Sequence, residues 1–242
     1  MIPFLGPSDP FPPVEQALDN PDGLLAAGGS LSTRRLVDAY QRGIFPWFNE
    51  GDPILWWSPD PRTVLRPEAI HVSRSLRKTL KKRAFLITID RAFGRVVDGC
   101  AAPRGGDQGT WLNVPMRRAY AALHAAGLAH SIEIWMDGKL AGGIYGVALG
   151  RVFFGESMFT RRTDASKIGM VRLAAQLDRW QFPLIDCQLE TDHLMSLGAE
   201  QVSRRQFVAA IERLTREPAP EWVMDEDLAG NPAHAPRALK QI

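Results

Sequence analysis

Proline is distributed unevenly along this chain of 242 residues, and that distribution restricts what each part can fold into. Ten of the 18 prolines precede residue 62, and three of the seven tryptophans lie in the same segment. Because proline fixes φ and donates no backbone hydrogen bond, such a segment is unsuited to a long helix or a central strand. We therefore expect a small, loop-rich unit over residues 1–62, with one helix that begins after Ser32 and ends at Gly43.

Beyond residue 62 the apolar residues follow alternating strand and helix periods. Strands are predicted at residues 85–90, 131–136, 139–149, 151–158 and 183–188, and helices at residues 74–82, 91–100, 115–126, 164–180, 191–197 and 204–214. Helices interspersed with consecutive antiparallel strands indicate an α+β or mixed α/β fold, and α+β is the class we predict. The predicted domains are a Pro/Trp-rich unit over residues 1–62 and a larger domain over 63–242, which ends in a loosely packed tail after Glu217.

The composition excludes several classes of protein. Cys100 and Cys187 are too few for a disulfide framework, so an intracellular protein is expected. The sequence has no basic segment followed by an apolar run at its start, and no run of about 18 apolar residues, so we expect a cytoplasmic protein without a membrane partner. The histidines do not cluster with cysteines or acids at metal-ligand spacing, and His193 is interpreted as a helix-start residue. Neither a phosphate-binding loop nor a nucleophile elbow occurs, so no metal or cofactor is expected.

The net charge of +2 averages over segments of opposite sign. Residues 1–62 carry 4 basic and 8 acidic side chains, residues 63–130 carry 12 and 4, and residues 131–242 carry 13 and 15. The most basic segment carries six cations, Arg74, Arg77, Lys78, Lys81, Lys82 and Arg83. Leu76 and Leu80 would dock it as a helix and leave the first five of these cations exposed. The segment is either a solvated helix face or a contact with a nucleic-acid backbone, and the absence of any acid within it favours the second.

Two apolar strands each carry one acid, Glu156 and Asp186. In a strand alternate residues share a face, which places Glu156 in a row with Phe154 and Met158, and Asp186 in a row with its neighbours at positions 184 and 188. A carboxylate among apolar residues is unfavourable unless it is paired or used. The alternatives are a structural hydrogen bond, the binding of a cationic group and the removal of a proton from an amine, and the sequence favours a functional role.

The aromatic residues of the first segment have two possible roles. Most of them are expected to fill the core of a small unit that is short of apolar volume. The alternative is that some line a cleft and present flat faces to a base or an apolar ligand, and Trp111 is a further candidate for that role. The sequence alone does not divide the aromatic residues between these roles.

Several longer motifs resemble one family. They are Gly23-Leu-Leu-Ala-Ala-Gly-Gly, residues 40–48 (Tyr-Gln-Arg-Gly-Ile-Phe-Pro-Trp-Phe), residues 54–62 (Ile-Leu-Trp-Trp-Ser-Pro-Asp-Pro-Arg), residues 130–133 (His-Ser-Ile-Glu), residues 155–159 (Gly-Glu-Ser-Met-Phe), residues 165–167 (Ala-Ser-Lys) and residues 184–188 (Leu-Ile-Asp-Cys-Gln). Together they resemble the bacterial leucyl/phenylalanyl-tRNA–protein transferases over residues 20–210. The resemblance implies a GNAT-like acyltransferase domain that follows the small N-terminal domain in the sequence. It also implies transfer of Leu, Phe and, less readily, Met from aminoacyl-tRNA to proteins that begin with Arg or Lys, which creates an N-degron for proteolysis.

The resemblance also implies roles for individual residues. The basic helix would hold the acceptor stem of the tRNA, and the terminal adenosine would lie near Trp47 and Trp111. An apolar pocket for the aminoacyl side chain would include Ile144, Phe153, Met158 and Ile185. Position 144 is often methionine in the family, so Ile144 is a departure. Glu156 and Asp186 would receive the cationic N-terminal residue of the acceptor, and no DNA partner is implied.

The implied chemistry requires no ATP, metal or CoA, because the aminoacyl ester is already activated. One hypothesis is that Asp186, acting with Gln188, orients and deprotonates the acceptor α-amine; the alternative is that both acids only bind the Arg or Lys and catalysis is positional. Two rival classes remain. An acetyl-CoA enzyme would require glycines in the loop over residues 159–167, which has none, and a non-catalytic RNA-binding module gives no reason for acids in apolar strands.

Overall fold

A computed structural model of the chain describes residues 1–103 and 111–236, and within them the strands form two sheets. The smaller sheet contains β1 (Phe4–Leu5), β2 (Leu24–Gly28), β3 (Phe45–Pro46) and β4 (Leu55–Trp57) in the order β1-β2-β4-β3. Helix α1 (Thr33–Gln41) lies between β2 and β3 in the chain and is capped by the Ser32 hydroxyl, as predicted. The central strands β2 and β4 were not predicted. They form because the prolines lie outside them, and Pro46 occupies an edge strand, where its missing N–H is tolerated.

The larger sheet has seven strands. They are β5 (Arg62–Leu65), β6 (Leu86–Ile89), β7 (Ala129–Met136), β8 (Lys139–Leu149), β9 (Val152–Thr160), β10 (Leu184–Gln188) and β11 (Glu200–Val202), in the order β11-β5-β10-β9-β8-β7-β6. The predicted run of consecutive antiparallel strands is confirmed for β7, β8 and β9. Strands β9 and β10 run parallel, because a helix crosses over between them, and this pair makes the sheet mixed. The short strands β5 and β11 were missed. The described fold is mixed α/β, the second of the two classes considered from the sequence.

The remaining helices agree with the sequence pattern to within two residues. They are α2 (Arg74–Lys82), α3 (Phe93–Ala101), α4 (Val114–Ala125), α5 (Ala165–Arg179), α6 (Asp192–Ser196) and α7 (Arg204–Leu214), to which the structure adds the short α8 (Glu226–Ala229). The strong apolar periodicity of these segments explains the agreement. None of the helices described for residues 1–103 and 111–236 has both the length and the apolar character needed to span a membrane.

Two apolar cores cover opposite faces of the larger sheet. One core joins the N-terminal sheet and α1 with α3, α4 and α7, and it includes Tyr40, Tyr120 and Phe154. The other core lies under α2 and α5 and includes Ile144 and Phe153. The smaller sheet is thus packed onto the same face of the larger sheet as α3, α4 and α7.

The tail after Glu217 is packed against the larger sheet as far as residue 236, so the expectation of a loose tail was wrong. The ring of Trp222 stacks on His130 at 4.0 Å between centroids. Arg179 forms ion pairs with Asp225 and Asp227 at 2.6 and 2.7 Å. The partly buried Trp222 ring, the buried side chains of Leu228 and Ala235 and the two acids opposite Arg179 hold a segment that has few large apolar residues.

Candidate active site

A cavity opens where β9 and β10 stop pairing. The two strands are in parallel register from Leu184 opposite Val152 to Asp186 opposite Phe154, and beyond that point no further pairs form between them. Each strand also carries an irregularity there. The register of β8 and β9 shifts so that Glu156 is an extra residue, and the register of β10 and β5 shifts between Asp186 and Gln188. Such bulges redirect side chains and are common beside active sites.

The bulge in β9 overturns the predicted row of Phe154, Glu156 and Met158. Phe154 packs against Tyr40, with 5.0 Å between ring centroids, in the core that contains α1. Met158 packs instead against the opposite core, the one that contains Ile144. Strict alternation fails because one residue of β9 has no partner on β8.

The cavity has a volume of about 480 Å³ and brings together all six residues predicted to bind the aminoacyl group or the adenosine. These are Trp47, Trp111, Ile144, Phe153, Met158 and Ile185. Glu156 and Gln188 also line it. Sequence reasoning did not assign several further lining residues to a site, namely Phe45, Pro46, Gly155, Ser157, Met170, Cys187, Leu189, Thr191, His193 and Leu194. Most of the lining side chains are apolar, which suits an apolar ligand group.

The tryptophans of the N-terminal unit divide between core and cavity. Trp56 is fully buried in the core and donates its indole N–H to the Gly28 carbonyl at 2.8 Å. Trp47 lines the cavity and is 42% exposed. Trp57 supports it, because the Trp57 indole N–H donates to the Trp47 carbonyl at 2.7 Å and the two rings meet edge to face at 5.5 Å. Trp47 is thereby held with a flat face available to a ligand.

Glu156 is held by two phenols. Tyr40 Oη donates to Glu156 Oε1 at 2.8 Å and Tyr120 Oη donates to Oε2 at 2.5 Å, with 3.1 Å between the two phenol oxygens. Burial raises the pKa of Glu156 to about 7, although both hydrogen bonds act in the opposite direction. No cation contacts this carboxylate in the hydrogen bonds and ion pairs of the described residues. Near neutral pH, a cation that bound beside Glu156 would favour the ionised form of this carboxyl group.

Asp186 is buried behind the cavity and is not among its lining residues. Its carboxylate accepts two parallel hydrogen bonds from Arg62, Nε to Oδ1 at 2.8 Å and Nη2 to Oδ2 at 2.7 Å. Both side chains are almost completely buried, and Arg62 Nη1 also donates to the Gly43 carbonyl at 3.1 Å. A bidentate pair of this kind fixes the geometry of both partners.

Gln188 is oriented by Asp186. Its backbone N–H donates to Asp186 Oδ1 at 3.1 Å and its side-chain Nε2 donates to Oδ2 at 3.4 Å. The backbone has φ of 57°, a left-handed conformation that is uncommon for a residue other than glycine. Because Nε2 faces the carboxylate, Oε1 is left as an acceptor for a group in the cavity.

The basic helix α2 lies apart from the cavity, on the outer side of α5. Its five predicted cations from Arg74 to Lys82 are exposed, and no ion pair to them occurs within the described ranges. Leu76 docks the helix, and Thr79 Oγ1 donates to Asp164 Oδ2 at 3.4 Å just before α5 begins. Arg83 differs from the others, because its guanidinium donates to the Gly230 carbonyl of the tail at 3.0 Å.

The partners of the two acids were missed by sequence reasoning. Tyr40 and Arg62 occur at the ends of motifs already noted, but each meets its acid across more than 100 residues of chain. Tyr120 lies on α4, on a face that the apolar pattern identifies only as buried. Among residues 1–103 and 111–236, no three His, Cys, Asp or Glu side chains are grouped so as to hold a metal ion.

These features define an α/β protein with a mostly apolar ligand cavity whose polar lining residues include Glu156 and Gln188. The family described as leucyl/phenylalanyl-tRNA protein transferase matches residues 64–212, and the N-terminal domain of the same family matches residues 29–60. The chain belongs to the leucyl/phenylalanyl-tRNA protein transferase family.

Its relatives are similar over nearly their whole length. The leucyl/phenylalanyl-tRNA–protein transferase of Nitrosomonas europaea is 57% identical over 227 residues, covering 93% of this chain and 96% of that protein. The protein of the same name from Nitrosospira multiformis is 56% identical over 229 residues, covering 94% and 99%. Among solved structures, that of L-PGS from Bacillus licheniformis has a TM-score of 0.43 at 8% identity and covers 76% of this chain and 71% of that chain.

Proposed function

We propose that this chain transfers Leu, Phe and, less readily, Met from aminoacyl-tRNA to the N-terminal Arg or Lys of acceptor proteins. The observation that carries the proposal is the cavity itself, which is lined mostly by apolar side chains together with the polar side chains of Glu156 and Gln188. An apolar amino-acid side chain and a cationic partner would find complementary surroundings at adjacent positions. Membership of the family supports the same assignment.

The donor would occupy the apolar part of the cavity. In this proposal Ile144, Phe153, Met158 and Ile185 contact the aminoacyl side chain, and the terminal adenosine stacks against Trp47 and Trp111. The exposed cations of α2, and Arg83 next to them, contact the phosphates of the acceptor stem, which positions the tRNA without reading its sequence.

The acceptor would enter at Glu156. A cationic side chain next to this carboxylate favours the ionised form and so lowers its pKa from about 7. The two phenols leave the carboxylate with lone pairs free, since each oxygen accepts one of them. Recognition of Arg or Lys would then couple binding to loss of a proton from Glu156.

The reaction would be aminolysis of an ester. The neutral α-amine of the acceptor attacks the ester carbonyl, the C–N bond forms, the C–O bond to the ribose breaks, and the ribose hydroxyl leaves with the proton lost by the amine. We propose the positional role for Asp186, because four donors already occupy its two oxygens. Gln188 Oε1 would accept a hydrogen bond from the attacking amine and orient it.

We also propose a domain organisation for the enzyme. The larger domain, over residues 63–242, would be a GNAT-like acyltransferase, preceded by a distinct N-terminal domain over residues 1–62. The mixed seven-stranded sheet with helices on both faces is compatible with such a fold. The enzyme would act in the bacterial cytoplasm, where charged tRNA is made, and its product would carry an N-degron. No cofactor takes part in the proposed chemistry.

The proposal is tested by following labelled Leu from charged tRNA onto two peptides that differ only in having Arg or the uncharged citrulline at position 1. Wild-type protein should prefer the Arg peptide. Glu156→Gln should lower kcat/KM for the Arg peptide by about 10-fold to 100-fold, the range for a hydrogen bond to a charged group, and change the citrulline peptide little. Equal losses on both peptides would contradict the role of Glu156, and no transfer by wild-type protein would contradict the function.

The role of Asp186 is tested by a double-mutant cycle with Gln188. If Asp186 acts by holding Gln188, then Asp186→Asn and Gln188→Ala should reduce kcat by similar factors, and the double variant should be no slower than either single variant. Circular dichroism checks that each variant is folded. Multiplicative losses, together with a changed pH dependence of kcat for Asp186→Asn alone, would favour the general-base hypothesis.

A further inference from the structure

Two side chains beside the cavity take no part in the chemistry proposed above. His193, on α6, lines the cavity, and its Nε2 atom is enclosed by protein with no hydrogen-bond partner among the described residues. Lys167, in the first turn of α5, is half-buried and forms no ion pair within residues 1–103 and 111–236. Burial and the nearby charge of Lys167 lower the pKa of His193, which places the two side chains within electrostatic reach of each other.

One face of α5 connects this pair to the basic helix. Lys167 and Met170 are three residues apart on α5, so they lie on the same side of the helix, about 4.5 Å apart along its axis, and Asp164 is the residue that directly precedes the helix. Met170 lines the cavity, whereas Asp164 accepts the hydrogen bond from Thr79 of α2. Lys167 therefore lies between α2 and the cavity, about one turn from each.

We propose that Lys167 and His193 bind the phosphodiester that precedes the terminal adenosine of the aminoacyl-tRNA. This inference rests on the proposed function and adds a contact to it. The single-stranded 3′ end would run from the cations of α2 along this face of α5 and enter the cavity beside α6. Lys167 supplies the charge, and the His193 imidazole supplies a ring N–H donor through Nδ1, since Nε2 is enclosed by protein.

The charges favour the donor over the acceptor as the occupant of this position. The N-terminal residue of the acceptor is cationic and would be repelled by Lys167, whereas each phosphodiester carries one negative charge. A half-buried ammonium is unfavourable without an anion, and no ion pair to Lys167 occurs in the part of the chain that the structure describes. A bound phosphate would pair with this ammonium and accept a hydrogen bond from the imidazole.

The test compares two probes that differ by one phosphate, puromycin and puromycin 5′-phosphate, by equilibrium binding to the full chain. Wild-type protein should bind the phosphate form on the order of tenfold more tightly, as for one charge-assisted contact. Lys167→Gln should abolish that preference and leave puromycin binding unchanged. Lys139→Gln is the matched control, because Lys139 is an exposed lysine at the first position of β8, in the hairpin that follows β7.

Two further measurements separate a phosphate contact from a structural role. Log affinity for intact aminoacyl-tRNA decreases with log salt concentration, and the magnitude of this slope should be smaller by about 0.7 in Lys167→Gln, the value for one phosphate of a single strand. In wild-type protein, the His193 pKa followed by NMR should rise when puromycin 5′-phosphate is added, but not when puromycin is added.

The outcomes distinguish this inference from the proposed function. Equal weakening of both probes in Lys167→Gln would mean that Lys167 only shapes the cavity, and it would overturn the inference. Equal affinity of wild-type protein for both probes would overturn it as well, while leaving the donor site intact. If wild-type protein bound neither probe, the proposed donor site and the inference would both be wrong.

Discussion

The two acids beside the cavity lie on neighbouring strands and have opposite surroundings. Asp186 faces a buried guanidinium and donors from Gln188, which together occupy both of its oxygens. Among the described residues, Glu156 accepts side-chain hydrogen bonds from two phenol hydroxyls and from no cation, and burial raises its pKa to about 7. The charge of Asp186 is therefore compensated within the protein, while that of Glu156 is left for a ligand to compensate.

This difference assigns the two acids to different tasks. A compensated carboxylate is a rigid support, because moving it would leave a buried Arg without a partner. A carboxylate that is half ionised near neutral pH responds to its ligand, because a bound cation changes its protonation. The support and the responsive group should therefore differ in their effects on stability, in their pH dependence and in their response to the loss of single hydrogen bonds.

The largest effect is expected from breaking the support. Arg62→Met leaves Asp186 buried without its partner and should reduce the free energy of unfolding by about 3–5 kcal/mol. Part of the loss reflects the hydrogen bond to the Gly43 carbonyl and the packing of Arg62 between the rings of Phe45 and Phe207. Urea unfolding at pH 7 measures the change.

The control for this prediction is Arg66, which directly follows the strand that carries Arg62. Arg66 pairs with Glu200 at 2.6 Å, but both side chains are about half exposed, so Arg66→Met should cost less than about 1 kcal/mol. The double variant Arg62→Met with Asp186→Leu should be less destabilised than Arg62→Met alone, since no charge is left unpaired. A loss for Arg62→Met as small as that for Arg66→Met would show that Asp186 is not held as described.

An intermediate effect is expected in the pH dependence of acceptor binding. Glu156 is mostly protonated below pH 7 and mostly ionised above it, so affinity for an Arg-initiated peptide should rise about tenfold between pH 6 and pH 8. The acceptor α-amine also titrates in this range, and the ratio of wild-type to Glu156→Gln affinities removes its contribution. A ratio that stays constant with pH would show that Glu156 does not change its charge on binding.

Ionisation of Glu156 should also change the free energy of unfolding. As pH rises, this free energy should fall, whereas the affinity for the acceptor rises. Because the folded-state pKa of Glu156 is raised, its burial has no cost well below the unfolded value and an increasing cost as pH rises towards 8. Glu156→Gln should therefore gain stability relative to wild type at pH 8 and not at pH 4. Urea midpoints at the two pH values provide the measurement.

Local patterns predicted most of the parts that surround these acids. The apolar stripe of α2 and the capping Ser73 define a helix from one short segment, and its bounds agree with the prediction. The six predicted cavity residues do line one cavity, and three of them, Trp47, Met158 and Ile185, belong to motifs named through the resemblance. These features could be predicted because they depend on residues that are close together in the sequence or that belong to long motifs.

The parts that could not be predicted depend on partners far along the chain. The bulge at Glu156 is defined by how β9 pairs with β8, where a side chain at Gly146 would collide with Phe154. The pairing of Arg62 with Asp186 joins residues 124 positions apart. Trp222 packs onto His130 from a segment whose composition indicates a loose tail. In each case the sequence shows the residue but not its neighbour.

The smallest effect should come from removing one phenol at a time from Glu156. Tyr40→Phe and Tyr120→Phe each delete a hydrogen bond that favours the ionised carboxylate, so the pKa of Glu156 should rise and affinity for the Arg peptide at pH 7 should fall about threefold. Tyr145→Phe is the matched control, because its hydroxyl is buried in the same core without a hydrogen-bond partner among the described residues. Its pH midpoint should equal that of wild type. If all three variants shifted the midpoint equally, the effect would come from loosened packing and not from the phenol hydrogen bonds. The pKa of Glu156 would then not be set by its two phenol partners, and the contrast with the paired Asp186 would be lost.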